Sequence, residues 1–135
     1  MILIGIQGDN LLRPSELARV RDLTNELERI PGVKRVLSLT NVKDVRGAGD
    51  EVVVSPLVPE EDSPTALQEL RGRIRNNPFY VKNLISSDER TLAVLVFLEE
   101  FGQKESLLQG REVTRQVRAI TRRVLGEGQA FVSGL

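Results

Sequence analysis

The amino-acid sequence predicts an α+β two-layer sandwich, one antiparallel sheet with helices on one face. Three observations predict it. The chain opens and closes on the same layout, strand, amphipathic helix, strand, over residues 1–41 and again over 91–135. The strands that head the two halves, Met1–Ile6 and Thr91–Leu98, are the most apolar in the chain, and right-handed crossovers would place both at the centre of the sheet. Residues 42–90 read as an inserted hairpin and helix that leave this pattern intact. Two such split βαβ halves in one domain of 135 residues make a ferredoxin-like sandwich.

Each element has its local cause. Met1–Ile6 is apolar at both parities, as a central strand is, and Gly8-Asp9-Asn10 ends it with turn residues. Pro14-Ser15-Glu16 starts a helix in which Leu17, Val20, Leu23, Leu27 and Ile30 fall on one stripe at spacings of three and four. Pro31-Gly32 stops it, and Val33–Leu39 is the next strand. Val42–Val45 and Glu51–Val54 flank the glycine-rich turn Arg46-Gly47-Ala48-Gly49-Asp50 and read as a hairpin. Ser55–Pro64, with three prolines and the acidic trio Glu60-Glu61-Asp62, is a loop whose Ser63-Pro64 caps a short helix through Leu67, Leu70 and Ile74. That helix stops near Asn76-Asn77-Pro78, and Phe79–Ile85 fits either a helical turn or a short strand. After Thr91–Leu98, a polar link at Glu99–Lys104 leads to a long helix from about Glu105 to Leu125 with Val113, Val117, Ile120 and Val124 on one stripe. Gly126-Glu127-Gly128 ends it before a closing strand at Ala130–Val132. The two long helices also echo each other, Val20-Arg21-Asp22-Leu23-Thr24 against Val117-Arg118-Ala119-Ile120-Thr121.

Composition narrows the function. With no His, no imidazole can act as a base near neutral pH and no Ser-His pair can form. With no Cys, disulfides and Cys-His pairs are excluded, and a zinc site would have to be all carboxylate. The 19 Lys+Arg balance the 19 Asp+Glu, which argues against general nucleic-acid binding. No stretch reaches the ~18 apolar residues of a membrane span, and MILIGIQGDN lacks the basic start of a signal peptide. Carboxylates, arginine, hydroxyls and backbone remain, so the expectation is a binding or scaffolding domain, not an enzyme, with no catalytic, cofactor or metal residues.

The candidate contacts are few. Arg111, Arg115, Arg118 and Arg122 recur at i, i+4, i+7 and i+11 and share one helix face, readable as an anion or partner contact or as the solvated side of an amphipathic helix. Phe79 and Tyr80 read as interface aromatics or as anchors of the inserted segment. Glu60-Glu61-Asp62 and Glu99-Glu100 could take a hard cation but read as solvated loop charge. Gly47 and Gly49 lack the GK[ST] of a phosphate loop and read as a hairpin turn. The Gly5-x-x-Gly8 pair is followed by Asp9-Asn10-Leu11-Leu12-Arg13 without the glycine-rich loop of acylphosphatases, so that activity is not expected. Ile30-Pro31-Gly32-Val33-Lys34-Arg35-Val36 resembles a turn of small metal-transfer domains, whose CxxC is missing here.

Several stretches together resemble one family. They are Gly5-Ile6-Gln7-Gly8-Asp9-Asn10-Leu11-Leu12, the run Leu27 to Val42, Asn77-Pro78-Phe79 with Leu84-Ile85-Ser86-Ser87-Asp88, and Val132-Ser133-Gly134-Leu135. The set resembles the first large extracytoplasmic loop of resistance–nodulation–division (RND) exporters of the MMPL and hopanoid-exporter type. The resemblance implies a ferredoxin-like porter subdomain between two transmembrane helices, on the periplasmic side of the bacterial inner membrane. It implies contact with the second loop domain and the transmembrane part, a homo-oligomer, and hydrophobic or amphipathic substrates such as lipids. The family's proton relay lies in membrane helices, so no relay residue carries over, and the chain is expected to be an excised domain of a longer protein. The alternative expectation is a free-standing ferredoxin-like regulatory or ligand-binding module that dimerises through sheet edges. A hydrolase built on paired carboxylates lacks any convincing pair spacing.

Overall fold

A computed structural model describes residues 1–59, 65–100, 106–126 and 128–134. In chain order the elements are β1 (Ile2–Gln7), α1 (Pro14–Glu28), β2 (Val33–Leu37), β3 (Lys43–Ala48), β4 (Glu51–Pro56), α2 (Ala66–Arg75), α3 (Pro78–Asn83), β5 (Thr91–Leu98), α4 (Ser106–Leu125) and β6 (Ala130–Gly134). Four of the strands form one antiparallel sheet in the order β2-β5-β1-β6. The two most apolar strands, β1 and β5, are therefore central, as the sequence predicts.

Register determines what each strand buries. Ile2, Ile4 and Ile6 stand opposite Val96, Val94 and Leu92, so all six side chains share one face, and all are buried. Onto this core come Leu17, Val20, Leu23 and Leu27 of α1 and Val113, Val117 and Leu125 of α4, with the two helices packed on each other. The other face carries Leu3, Leu37 and Leu95, all half-buried, and Phe131, whose ring covers Gly5. That covering explains a glycine in the middle of a central strand. A Cβ at Gly5 would lie 2.1 Å from Phe131 Cζ.

The helix α4 departs from expectation in rotation. Its innermost positions are Val113, Val117, Thr121 and Leu125, while Ile120 and Val124 are only half-buried. A threonine can sit inside because its hydroxyl donates to the Val117 carbonyl at 2.7 Å, which removes the cost of an unpaired polar group. The strand β2 ends two residues earlier than expected, at Leu37. Asn41 Nδ2 donates to the Val36 carbonyl at 2.6 Å and its Oδ1 accepts from Ser38 N–H at 2.9 Å, which turns the chain away. Phe79–Ile85 resolves to the helical turn α3 followed by a single bridge, Ile85 to Leu92. The closing strand β6 runs two residues further than expected. Ser63-Pro64 and Glu60-Glu61-Asp62 lie outside the described residues, and α2 begins after Thr65.

The inserted unit is a separate two-stranded sheet, β3 with β4, closed by Gly49-Asp50 between the paired residues Ala48 and Glu51. Gly49 holds φ +66°, which a first central turn position of this kind demands and L side chains resist. Three contacts fix its base: Tyr80 Oη donates to the Lys43 carbonyl at 2.8 Å, Arg73 Nη1 to the Pro56 carbonyl at 2.9 Å, and Asn77 Nδ2 to Asp44 Oδ1 at 3.0 Å. Among the described residues no helix is long and apolar enough to cross a membrane.

Candidate functional site

The arginine stripe gives the site, and the structure divides it. All four of Arg111, Arg115, Arg118 and Arg122 are exposed along α4. Arg115 is committed within its own helix. Its Nη2 donates to Glu112 Oε1 at 2.6 Å and its Nε to Oε2 at 3.1 Å, while Gln116 Nε2 adds a third donor to the same carboxylate at 3.0 Å. These donors, Arg115 first and Gln116 second, hold the Glu112 carboxyl at about 2, and the same pairing pushes Arg115 above its ordinary range. Arg123, one position beyond the stripe, pairs with Glu26 of α1.

Arg118 and Arg122 border a groove of about 500 Å³ between α4 and β6. Ala130 and Val132, from the helix-facing side of β6, supply its apolar floor, and Thr121 lines it with its hydroxyl already spent on Val117. Gly126 and Gly128 also line it, beyond the end of α4. Both hold positive φ, at +75° and +88°, and a Cβ at either would meet only open space, so their smallness serves the reversal of the chain and leaves the groove wide. Gly126 N–H donates to the Arg122 carbonyl at 2.8 Å and so closes the last turn of α4.

The negative end of the α4 dipole lies at this same end, which by itself disfavours an anion. Arg19 of α1 offsets it. Its Nη2 donates to the Leu125 carbonyl at 2.7 Å and its Nη1 to Gln129 Oε1 at 3.3 Å, with Glu16 3.6 Å away. Gln129 in turn donates to Glu16 at 3.2 Å. Guanidinium groups stay protonated and only donate. Among the described residues the groove therefore has the chemistry to hold an anionic group, with Arg118 and Arg122 at its border and a small apolar patch from Ala130 and Val132.

No family model matches the chain, and no curated protein matches it.

The aromatic pair also divides. Tyr80 is half-buried against the core and anchors β3 through its hydroxyl. Phe79 meets Tyr80 edge-on at a ring separation of 6.0 Å and stays 58% exposed, so Tyr80 takes the anchoring role and Phe79 the exposed one. Glu99 and Glu100 are exposed, and among the described residues no three acidic side chains gather as a metal site would require.

The described stretches that carry the family resemblance are mostly joints and strands, with Leu27-Glu28 ending α1 and Pro78-Phe79 opening α3. Gly32, at φ +95°, turns α1 into β2, and Ser38-Leu39-Thr40-Asn41 turns out of β2. In the stretch Leu84 to Asp88, Ser86 Oγ donates to Asp88 Oδ1 at 2.6 Å and accepts from Thr91 N–H at 3.0 Å, which sets the entry to β5. The Ser86 bond, then the Arg90 N–H, hold the Asp88 carboxyl below its ordinary range.

Three residues emerge that periodicity could not single out. Arg19 looks like any charge on the outer face of α1. Asp44 is fully buried, accepts from Asn77 and lies 3.9 Å from Arg73 Nε. Glu89 holds φ +60° while forming a two-pronged pair with Arg71, Nε to Oε1 at 2.9 Å and to Oε2 at 3.1 Å. Apart from Glu16, one turn before Arg19, their partners lie 18 to 110 residues away, and no local signal in the chain marks them.

Proposed function

We propose that this chain is a porter-like domain of a proton-driven exporter of the RND/MMPL type, on the periplasmic side of the inner membrane, that moves lipids or other hydrophobic molecules. It contributes a moving wall and a substrate-contacting groove, and no covalent chemistry. The observation that carries the reading is the coincidence of fold order with motif position. The two βαβ halves enclose an inserted hairpin–helix unit, and the segments that resemble the exporter loop fall mostly on the turns and strands that build this order, with Pro78-Phe79 opening α3 and Leu27-Glu28 ending α1.

The groove supports the same reading. Arg118 and Arg122 beside it suit an acidic head group, while Ala130 and Val132 add only a small apolar patch to a mostly polar lining. The mechanism would be rigid-body motion of this domain against the second loop domain and neighbouring subunits, opening and closing a cleft while the membrane helices carry the proton relay.

The test is direct. The encoded protein is expected to carry an apolar span of about 20 residues on each side of this domain. A gene without such spans ends the transport reading. With the spans present, Arg118→Glu with Arg122→Glu in the full transporter is expected to reduce export of an acidic amphiphile while the protein remains folded in the membrane. Unchanged export would remove the groove from the substrate path.

A further inference from the structure

The exposed edge of β4 has no place in the transport reading. Val52, Val53 and Val54 are three consecutive valines at 69%, 40% and 58% exposure. A run of exposed β-branched residues on an open strand edge is what folded chains avoid unless something covers it. Among the described residues β4 pairs with β3 alone.

The hairpin register determines which backbone groups face outward. Ala48 and Glu51 flank the two-residue turn and close it as a hydrogen-bonded pair. Pairs then alternate along the ladder. Val53 bonds back to Arg46, whereas the N–H and C=O groups of Val52 and Val54 point to the free edge. The far end of that edge is closed, because Pro56 has no N–H and its carbonyl accepts from Arg73. The β3 edge is also taken at its base, since the Lys43 carbonyl accepts from Tyr80. The open template is the β4 edge over Val52–Val54.

The geometry points to edge-to-edge antiparallel pairing of β4 with β4 of a second copy of this chain, on a two-fold axis at Val53. In that register Val52 stands opposite Val54 of the copy and exchanges both backbone bonds with it, and the symmetric pair does the same. Glu51 falls opposite Ser55, so no carboxylates meet. Centring on Val54 would set Val52 against Pro56 and lose the donor, and centring on Val52 would run the pairing into the Gly49-Asp50 turn. The sequence of this edge is thus complementary to itself in one register. On the outward face Val45, Val54 and the copy's Val52 become cross-strand neighbours. The contact is far smaller than the roughly 1,200 Å² of a stable interface, so the pairing depends on concentration. It stands independently of the transport reading.

The absence of native cysteine makes a clean test possible. Across a non-hydrogen-bonded pair the Cα atoms lie about 4.5 Å apart, within disulfide reach, so Val53→Cys on the axis is expected to cross-link into a covalent dimer under mild oxidation. Val52→Cys, roughly 8–9 Å from its own copy, is expected not to. Sedimentation of the unmodified chain is expected to show dimer rising with concentration. Val54→Pro, which removes only an outward N–H, is expected to leave it monomeric with the same circular dichroism. Should the proline variant perturb the fold, Val54→Lys serves instead. A chain that stays monomeric at millimolar concentration, or a dimer in which Val52→Cys and Val53→Cys cross-link equally, overturns the proposal.

Discussion

Thr24 and Thr121 hold the same place in the two long helices. Each is buried, and each donates its hydroxyl to the carbonyl four residues earlier, Val20 or Val117, at 2.7 Å. The echo seen in the sequence is therefore a shared way of placing threonine where α1 and α4 reach the core. The two differ in one respect. Thr24 Oγ1 also lies 2.8 Å from Ser38 Oγ, which is itself fully buried and 2.8 Å from Thr40 Oγ1. Thr24→Val is expected to cost about 1 kcal/mol, because it takes a partner from a buried hydroxyl. Thr121→Val removes a hydroxyl whose acceptor keeps its helix bond, and should change stability by less than about 0.5 kcal/mol. Urea unfolding of both variants checks the contrast, and equal losses would contradict it.

Arg19 joins the start of one helix to the end of the other. Arg19→Ala is expected to cost about 1–2 kcal/mol, at the lower part of the range for a charged donor because the side chain is partly in solvent. Arg19→Lys, a point charge in place of a fork, should recover less than half. Amide exchange in the last turn of α4 should speed up in both variants before exchange in β1 or β5 does.

Glu112 gives a pH signature. Its carboxyl titrates near 2 in the folded chain against an ordinary 4.5. A depressed folded value means the pairing contributes fully above about 4.5 and is lost as pH falls toward 2, so acid, and not base, weakens it. Arg115→Gln is expected to return the Glu112 midpoint toward 4.5, read by carboxyl NMR. The pair is exposed, so about 1 M salt should move the midpoint the same way.

Gly5 and Phe131 are expected to be coupled. Gly5→Ala forces the Phe131 ring off the sheet and should cost about 1–3 kcal/mol. In a Phe131→Ala background the same change meets no ring, and it should be neutral or stabilising through better strand propensity. A double-mutant cycle measures the difference, and simple additivity would show that the ring does not rest there in solution.

Much of the architecture was legible because apolar spacing carries it. In α1 the stripe Leu17, Val20, Leu23, Leu27 is the buried one, and Thr91–Leu98 is β5 to the residue. The hairpin was placed but drawn short, since Val45, Val52 and Val54 are exposed and alternation without burial marks no boundary. Phe79–Ile85 satisfied both periods, and only Tyr80 reaching Lys43 and Ile85 reaching Leu92 settle it. Of the site, the arginine spacing was readable on the helix. The division of its members was not, because it depends on a strand that returns after the helix and on a guanidinium from the other half of the chain.

One pairing has a mechanical consequence. Residue Ile2 stands opposite Gly134, so β1 enters the sheet and β6 leaves it at the same point. A load pulling those two ends apart would not shear the whole ladder at once. It would peel β6 from β1 one rung at a time, beginning at Ile2. Under tension the domain should therefore yield at low force from that corner, with the α4–β6 groove coming apart first while β5 and β2 still hold together.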